Sequence, residues 1–178
     1  MRIVAGSRKG ARIFAPRGLD TRPTGDRVRE AVFNLVGPVD GASVLDLYAG
    51  SGAMGLEALS RGAASSVFVE SDRDACRTIK RNLDKLGLEG AEIACVDVLR
   101  FLAAERRRFD LILVDPPYDV VESVAVRLAL YLPAVLAEHG LVALESSSRD
   151  EPALLPPLET RTSRRYGSAR VTLFQAAA

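Results

Sequence analysis

The run Phe109 to Val114, FDLILV, is apolar at five of its six positions and passes directly into Asp115-Pro116-Pro117-Tyr118-Asp119. A lone Asp-Pro after a strand is a turn signal, because proline has no N–H to give a ladder. A second stretch takes it beyond that reading. Asp46 closes another apolar run, and the LYAGSGAMGLEA that follows places Gly50, Gly52 and Gly55 in G-x-G-x-x-G spacing ahead of a helical stretch. Glycines there let the backbone turn tightly and let a ligand approach without a Cβ in the way. Glu70 lies 20 residues beyond Gly50, at the end of the next apolar run, the spacing of a carboxylate that takes ribose hydroxyls.

Two cofactor classes fit such glycines. A nicotinamide dinucleotide would rest its pyrophosphate on the helix N-terminus, where anion binding is favoured. Asp46, four residues before Gly50, puts another anion in that pocket. A carboxylate there suits a ligand with positive charge, and S-adenosylmethionine carries an ammonium and a sulfonium. Acids recur at successive strand ends: Glu70 for the ribose hydroxyls, Asp97 in CVDVL for the adenine amine, and Asp115. Four acids along one sheet edge favour the methyl donor over the dinucleotide and over purely structural glycines. The cofactor site expected here comprises Asp46, Ala49, Gly50, Ser51, Gly52, Glu70, Ser71, Asp97, Val98 and Asp115.

Bringing strand ends together needs a sheet, and 178 residues with 48% hydrophobic content suffice for one domain with a proper core. From Ser43 onward, apolar strands alternate with helical stretches: SVLDLY, a helix over 52–61, SSVFVE, a helix over 72–86, AEIACV, and a short helical piece over 99–105. FDLILV, a helix from about 122 to 137, and LVALES follow. That alternation predicts an α/β fold, a Rossmann-like and mostly parallel sheet with helices on both faces. TRTSRRY and ARVTLFQ, joined by GS, read as a C-terminal antiparallel hairpin and bring the sheet to seven strands. RIVA and ARIFA around GSRKG predict an N-terminal β-hairpin, followed by a helix to Val36 capped by Thr24 or Asp26. Residues 1–37 are thus a basic extension on a catalytic core of residues 38–178.

Residues 1–30 carry eight Arg or Lys against three acids, residues 159–178 four Arg against one, and residues 31–158 twelve bases against nineteen acids. The ends are therefore +5 and +3 on a body of −7, which suggests a basic surface for a polyanion. No run of ~18 apolar residues appears, and the N-terminus turns polar too early for a signal peptide, so the chain is expected to be soluble and cytoplasmic. Cys76, Cys95 and His139 fall in no metal-ligand spacing. They read as reduced core thiols and a surface imidazole in a turn before Gly140. Neither a metal site nor a Ser-His or Cys-His nucleophile is supported.

DLYAGSGAMGLEALSRGA, Glu70, DVLRFL, VDPPYD and the upstream TRPTGDRVREAVFNLV together resemble the bacterial 16S ribosomal RNA guanine-N2 methyltransferase family, class I enzymes that use adenosylmethionine. The similarity runs nearly end to end. The glycine loop and Asp-Pro-Pro-Tyr are shared by many amino-group methyltransferases and specify chemistry alone, whereas the run from Arg22 to Glu30 is narrower. Tyr48 and Met54 stand where the family often has phenylalanine and leucine. The resemblance implies methylation of a guanine N2 amine in a loop of 16S rRNA within an assembling or assembled small subunit. Nothing in it demands more than a monomer.

An exocyclic base amine is a poor nucleophile because its lone pair is delocalised into the ring. Acceptors aimed at its hydrogens help localise that pair as the nitrogen becomes tetrahedral, a stabilisation concentrated in the transition state. Asp115 and the Pro116 carbonyl are two such acceptors, the prolines stiffen the loop, and Tyr118 offers a flat face worth ~1–3 kcal/mol of stacking. The base must be unpaired or flipped out to reach them. Asp115 is expected to orient the amine, with proton removal secondary. Arg22, Thr24, Arg27 and Arg29, with Pro117 and Tyr118, are the expected RNA contacts, although the arginines could equally pair with Asp26 and Glu30, and Thr24 or Arg27 could close over the cofactor. Three alternatives stay open: adenine N6 in DNA as target, a dinucleotide oxidoreductase, and a cofactor-free RNA-binding assembly factor.

Overall fold

Strands apolar at consecutive positions are buried on both faces and call for a parallel sheet between helical layers. The structure, a computed structural model, describes residues 1–16 and 25–177. Its strands are β1 (Ser43–Leu47), β2 (Ser65–Glu70), β3 (Ala91–Cys95), β4 (Phe109–Val114), β5 (Leu136–Ser147), β6 (Glu159–Tyr166) and β7 (Ala169–Gln175). Its helices are α1 (Asp26–Val36), α2 (Ala53–Ser60), α3 (Arg73–Leu86), α4 (Val98–Ala104), α5 (Val121–Leu128) and α6 (Leu132–Val135). The strands form one sheet in the order β3-β2-β1-β4-β5-β7-β6. Five of them are parallel, and β7 runs antiparallel to both β5 and β6. The order turns back on itself between β1 and β4, where sheets of this kind place ligands.

Helices α4, α5 and α6 cover one face, packing around Leu45, Leu47, Ile112, Val114 and Phe174. On the other face Val32 and Phe33 of α1 and Met54 of α2 meet Leu111, Leu113 and Leu173. Nearby, Ile79 and Leu83 of α3 pack with Phe68, Ile3 and Ile13. Local signals set the ends of α3. Asp72 accepts from the Ala75 N–H at 2.7 Å, a cap worth ~1 kcal/mol, and Gly87 ends the helix in the left-handed region at φ 57°.

Four expectations are corrected. The N-terminal hairpin is shorter than expected, one antiparallel bridge between Arg2 and Arg12 closed by Ile3 N–H to the Ala11 carbonyl and Ile13 N–H to the Met1 carbonyl, because the flanking N–H groups bond to helix side chains: Val4 and Ala5 to Glu57, Phe14 to Asn82. The helix expected over 122–137 ends at Leu128, with a short second helix from Leu132 and then β5. Pro133 explains the break, since it lacks an N–H and its ring clashes one turn back. His139 consequently lies exposed inside β5 and not in a turn. The cysteines differ from two core thiols: Cys76 is buried and Cys95 exposed, with their sulfurs 2.6 Å apart as free thiols. Thr24 and Arg22 lie outside the described residues; Gly25 precedes α1, and Asp26 pairs with Arg2 and Arg29.

The loop entering β4 is held by Glu105, which accepts from Arg106 N–H, Arg107 N–H and the Arg107 guanidinium. Those donors outweigh its partial burial and hold its carboxyl down at about 2, from an ordinary 4.5. A depressed folded value means that its stabilisation is present above 4.5 and drains away as pH falls toward 2. Glu105→Gln is therefore expected to cost about 1 kcal/mol at neutral pH, after screening of the half-exposed Arg107. Urea melts should show a shallower loss than wild type across that acid window; parallel acid profiles count against the assignment.

Candidate active site

Two loops leave the carboxyl ends of β1 and β4, the neighbours at the reversal in strand order. Leu47 pairs with Val114 in register, and the Asp115 N–H points to the Leu47 carbonyl at 3.4 Å. Two loops far apart in sequence are thereby brought to one strand spacing, about 4.8 Å. Asp115 is half-buried, Pro116 buried and Pro117 exposed, followed by a single turn over Tyr118–Val120.

The glycine loop is shaped from beneath. Tyr48 departs from β1 at φ 60°, a strained value for a residue with a Cβ and the sole non-glycine example among the described residues. Burial, and then the charge of Asp97, push its phenol up to about 12, with Arg127 opposing. Gly52, at φ 79°, caps α2 from the left-handed region. A Cβ on Gly55 would stand 2.4 Å from the Phe68 ring and 2.6 Å from Ser66 Oγ, so only glycine lets α2 lie this close to β2.

The carboxylates have distinct tasks. Asp46 is 1% exposed, below the rim, and its Oδ2 accepts from the Gly55 N–H at 2.9 Å. Desolvation drives its pKa well above the usual carboxylate range; the Gly55 bond opposes this, and Asp115 and Glu70 add to it. Glu70 accepts from Gly50 N–H and Asp72 N–H, both at 2.9 Å. Asp97 is exposed and caps α4 through the Arg100 N–H at 3.0 Å. Two amides that a pyrophosphate would need, those of Gly50 and Gly55, are therefore already taken by carboxylates. With Glu70 and Asp115 near enough to add to the rise at Asp46, this rim gathers acidic groups that suit a cation and not a phosphate.

Of the remaining expected cofactor residues, Ala49 is buried and Ser51 half-buried in the loop after β1, Ser71 is exposed in the loop after β2, and Val98 is buried at the start of α4. Asn82, fully buried on α3, donates to the Ser51 and Phe14 carbonyls, both at 3.0 Å, and so ties the glycine loop to the N-terminal segment.

The RNA contacts divide. Arg27 is exposed in the first turn of α1. Arg29 is a correction: its side chain is 0% exposed, packed against Glu57 at 3.3 Å and Asp26 at 2.8 Å, and a guanidinium without accessible surface cannot meet a phosphate. Tyr118 is half-buried, and its hydroxyl donates to Glu145 Oε1 at 2.8 Å, a partner absent from the sequence-based expectation. Glu145 sits in β5 with 8% exposure. Its signal was available, since LVALES also carries an acid near the end of an apolar run. Among the described residues no group of three or more His, Cys, Asp or Glu side chains could hold a metal, and no helix is long and apolar enough to cross a membrane.

Comparison with known proteins agrees with this fold. The family model described as "Conserved hypothetical protein 95" matches residues 1–175. A Bacillus subtilis protein described as "Putative rRNA methyltransferase YlbH" is 38% identical over 181 residues, 98% of each chain. The Ribosomal RNA small subunit methyltransferase D of Haemophilus influenzae is 34% identical over 161 residues, covering 88% of this chain and 83% of that protein. Among solved structures, a hypothetical protein of Thermus thermophilus superimposes with a TM-score of 0.83 at 32% identity, covering 99% of both chains. The chain belongs to the Conserved hypothetical protein 95 family and is similar over most of its length to a putative rRNA methyltransferase and to a small-subunit ribosomal RNA methyltransferase.

Proposed function

We propose that this chain is an S-adenosylmethionine-dependent rRNA methyltransferase acting on the N2 amine of a guanine in a loop of 16S rRNA. The observation that carries it is the junction of the two loops at the β1/β4 reversal, with Asp115 one strand from a glycine loop whose amides are held by carboxylates. The family relationship supports ribosomal RNA as the substrate class. The acidic setting of Asp46, Glu70 and Asp115 fits a cationic donor.

Bound there, S-adenosylmethionine supplies a methyl group on a positively charged sulfur. Glu70, fixed by two backbone N–H groups, keeps lone pairs for ribose hydroxyls, and Asp97, the cap of α4, would take the adenine amine. Asp115 and the Pro116 carbonyl accept from the amine hydrogens of the target base and localise its lone pair. Tyr118 gives the base a flat support that the Glu145 bond holds in one orientation. Arg27 meets phosphate. The target is presented by an assembling or assembled small subunit, and the protein acts as a cytoplasmic monomer.

The test is incubation with isotope-labelled S-adenosylmethionine and either small subunits or extracted 16S rRNA, then nucleoside mass spectrometry. Labelled N2-methylguanosine is expected. Labelled N6-methyladenosine would replace the base assignment, and no transfer to either RNA would overturn the function.

A further inference from the structure

The C-terminal hairpin gives the sheet a basic edge. Strand β6 is the last in the sheet, with no strand on its outer side among the described residues. Because β7 is antiparallel to both β5 and β6, β6 runs parallel to β4 and β5, and its carboxyl end reaches the same rim as Asp115. In register, Glu145 of β5 pairs with Val171 of β7, which pairs with Arg164 of β6. Two strand spacings of about 4.8 Å place Arg164 about 10 Å from the backbone of the residue that holds Tyr118. Cross-strand partners share a face, so Arg164 lies on the side where Val171 packs with α1. Arg165, opposite Arg170, lies on the other side.

Arg161, Arg164 and Arg165 stand on β6 and are all exposed, the last two toward its carboxyl end and Arg161 nearer the opposite end. None of the three makes an ion pair with a described residue, whereas Arg2, Arg29, Arg61, Arg77 and Arg107 all do. The one acid of the strand, Glu159, stands at its far end. Charged side chains on an edge strand can also serve simply to prevent pairing with another chain, and a charge of either sign serves that purpose. Toward its carboxyl end this strand carries guanidiniums alone, on the same rim as Asp115 and three strands from it.

We propose that the exposed edge of β6, through Arg164 and Arg165, receives backbone phosphates of the RNA flanking the target nucleotide. This rests on the reading of the chain as an RNA methyltransferase and extends it to the surface that docks the substrate. Guanidinium groups bind phosphate in two-point fashion, and such contacts position a strand without reading its sequence. Set three strands along the sheet from Asp115, they engage nucleotides beside the target and leave the base itself to Tyr118 and the Pro-Pro turn.

The experiment measures binding of a fluorescein-labelled RNA stem–loop across a salt series for wild type, the Arg164→Glu/Arg165→Glu double variant and the Arg164→Lys/Arg165→Lys variant. The glutamate pair keeps the edge charged and so preserves its protection from pairing. Removing two phosphate-binding groups should make the slope of log affinity against log salt shallower by about 1.5 and lower the affinity at low salt about tenfold or more. Lysines should retain most of both. Calorimetry with S-adenosylmethionine and a thermal melt should match wild type, as both side chains are exposed and neither stands in a cofactor loop. Unchanged slope and affinity in the glutamate variant overturn the proposal, as does a loss fully explained by unfolding in the melt. If wild type binds RNA with this β6-dependent slope yet methylates no RNA, the surface stands and the proposed reaction falls. If wild type methylates small subunits and the glutamate variant does so with unaltered KM for RNA, the reverse holds.

Discussion

Asp115→Asn is expected to lower methyl transfer by about 10²–10³-fold while S-adenosylmethionine still binds. The amide is the same size but exchanges one acceptor for an N–H donor, turning a hydrogen toward the amine it must orient. It also removes the charge that favours a nitrogen becoming cationic as it forms its fourth bond. Because that help is needed chiefly in the transition state, the loss should fall on kcat more than on KM. Cofactor binding persists because Glu70 and the glycine loop are held by backbone contacts independent of Asp115. Removing one of the charges that raise the Asp46 pKa even lets Asp46 ionise more readily. Single-turnover transfer together with calorimetry checks this, and a variant with wild-type turnover removes Asp115 from the chemistry.

The largest expected effect on stability is at Glu57. This fully buried carboxylate on α2 accepts from the Val4 N–H at 2.8 Å and the Ala5 N–H at 2.9 Å, and it faces Arg29 at 3.3 Å and Arg61 at 2.8 Å. One side chain thereby fastens the N-terminal segment and α1 to the helix that carries the glycine loop. Glu57→Gln keeps the shape but leaves the buried Arg29 without its carboxylate neighbour on α2, the situation in which breaking a buried pair costs roughly 3–5 kcal/mol. Urea unfolding should register that loss, with amide exchange at Val4 and Ala5 accelerated more than in β1 or β4. A midpoint near wild type would mean that Asp26 and the Arg2 carbonyl suffice to hold Arg29.

The Glu57 cluster also marks where reading residues in order stops being informative. Arg29 and Arg27 are near neighbours on one helix and carry the same charge, yet one is sealed against Glu57 and the other faces solvent. Helical periodicity distinguishes their faces, but which face is covered depends on a partner on another helix, beyond β1 and the glycine loop. The strands, by contrast, were legible because burial on both faces demands unbroken apolar runs, and the strand ends were legible because glycine, proline and carboxylates have few other reasons to follow such runs. The break in the helix after Leu128 was missed, because a continuous apolar pattern masked the signal of Pro133.

What the chain order alone determined was the inventory: a parallel sheet with an antiparallel end, a glycine loop after one strand, Asp-Pro-Pro-Tyr after another, and acids at strand ends. Each follows from short-range chemistry, namely side-chain periodicity and the backbone limits of glycine and proline. Tertiary structure alone decided which of those groups meet. The reversal of strand order sets the Leu47 and Val114 ends side by side; packing sinks Asp46 under α2 as a cap; and the register through Val171 puts Glu145 behind Tyr118 in line with Arg164. Those relations depend on contacts between residues distant along the chain, and residue types in sequence carry no record of distance across a sheet.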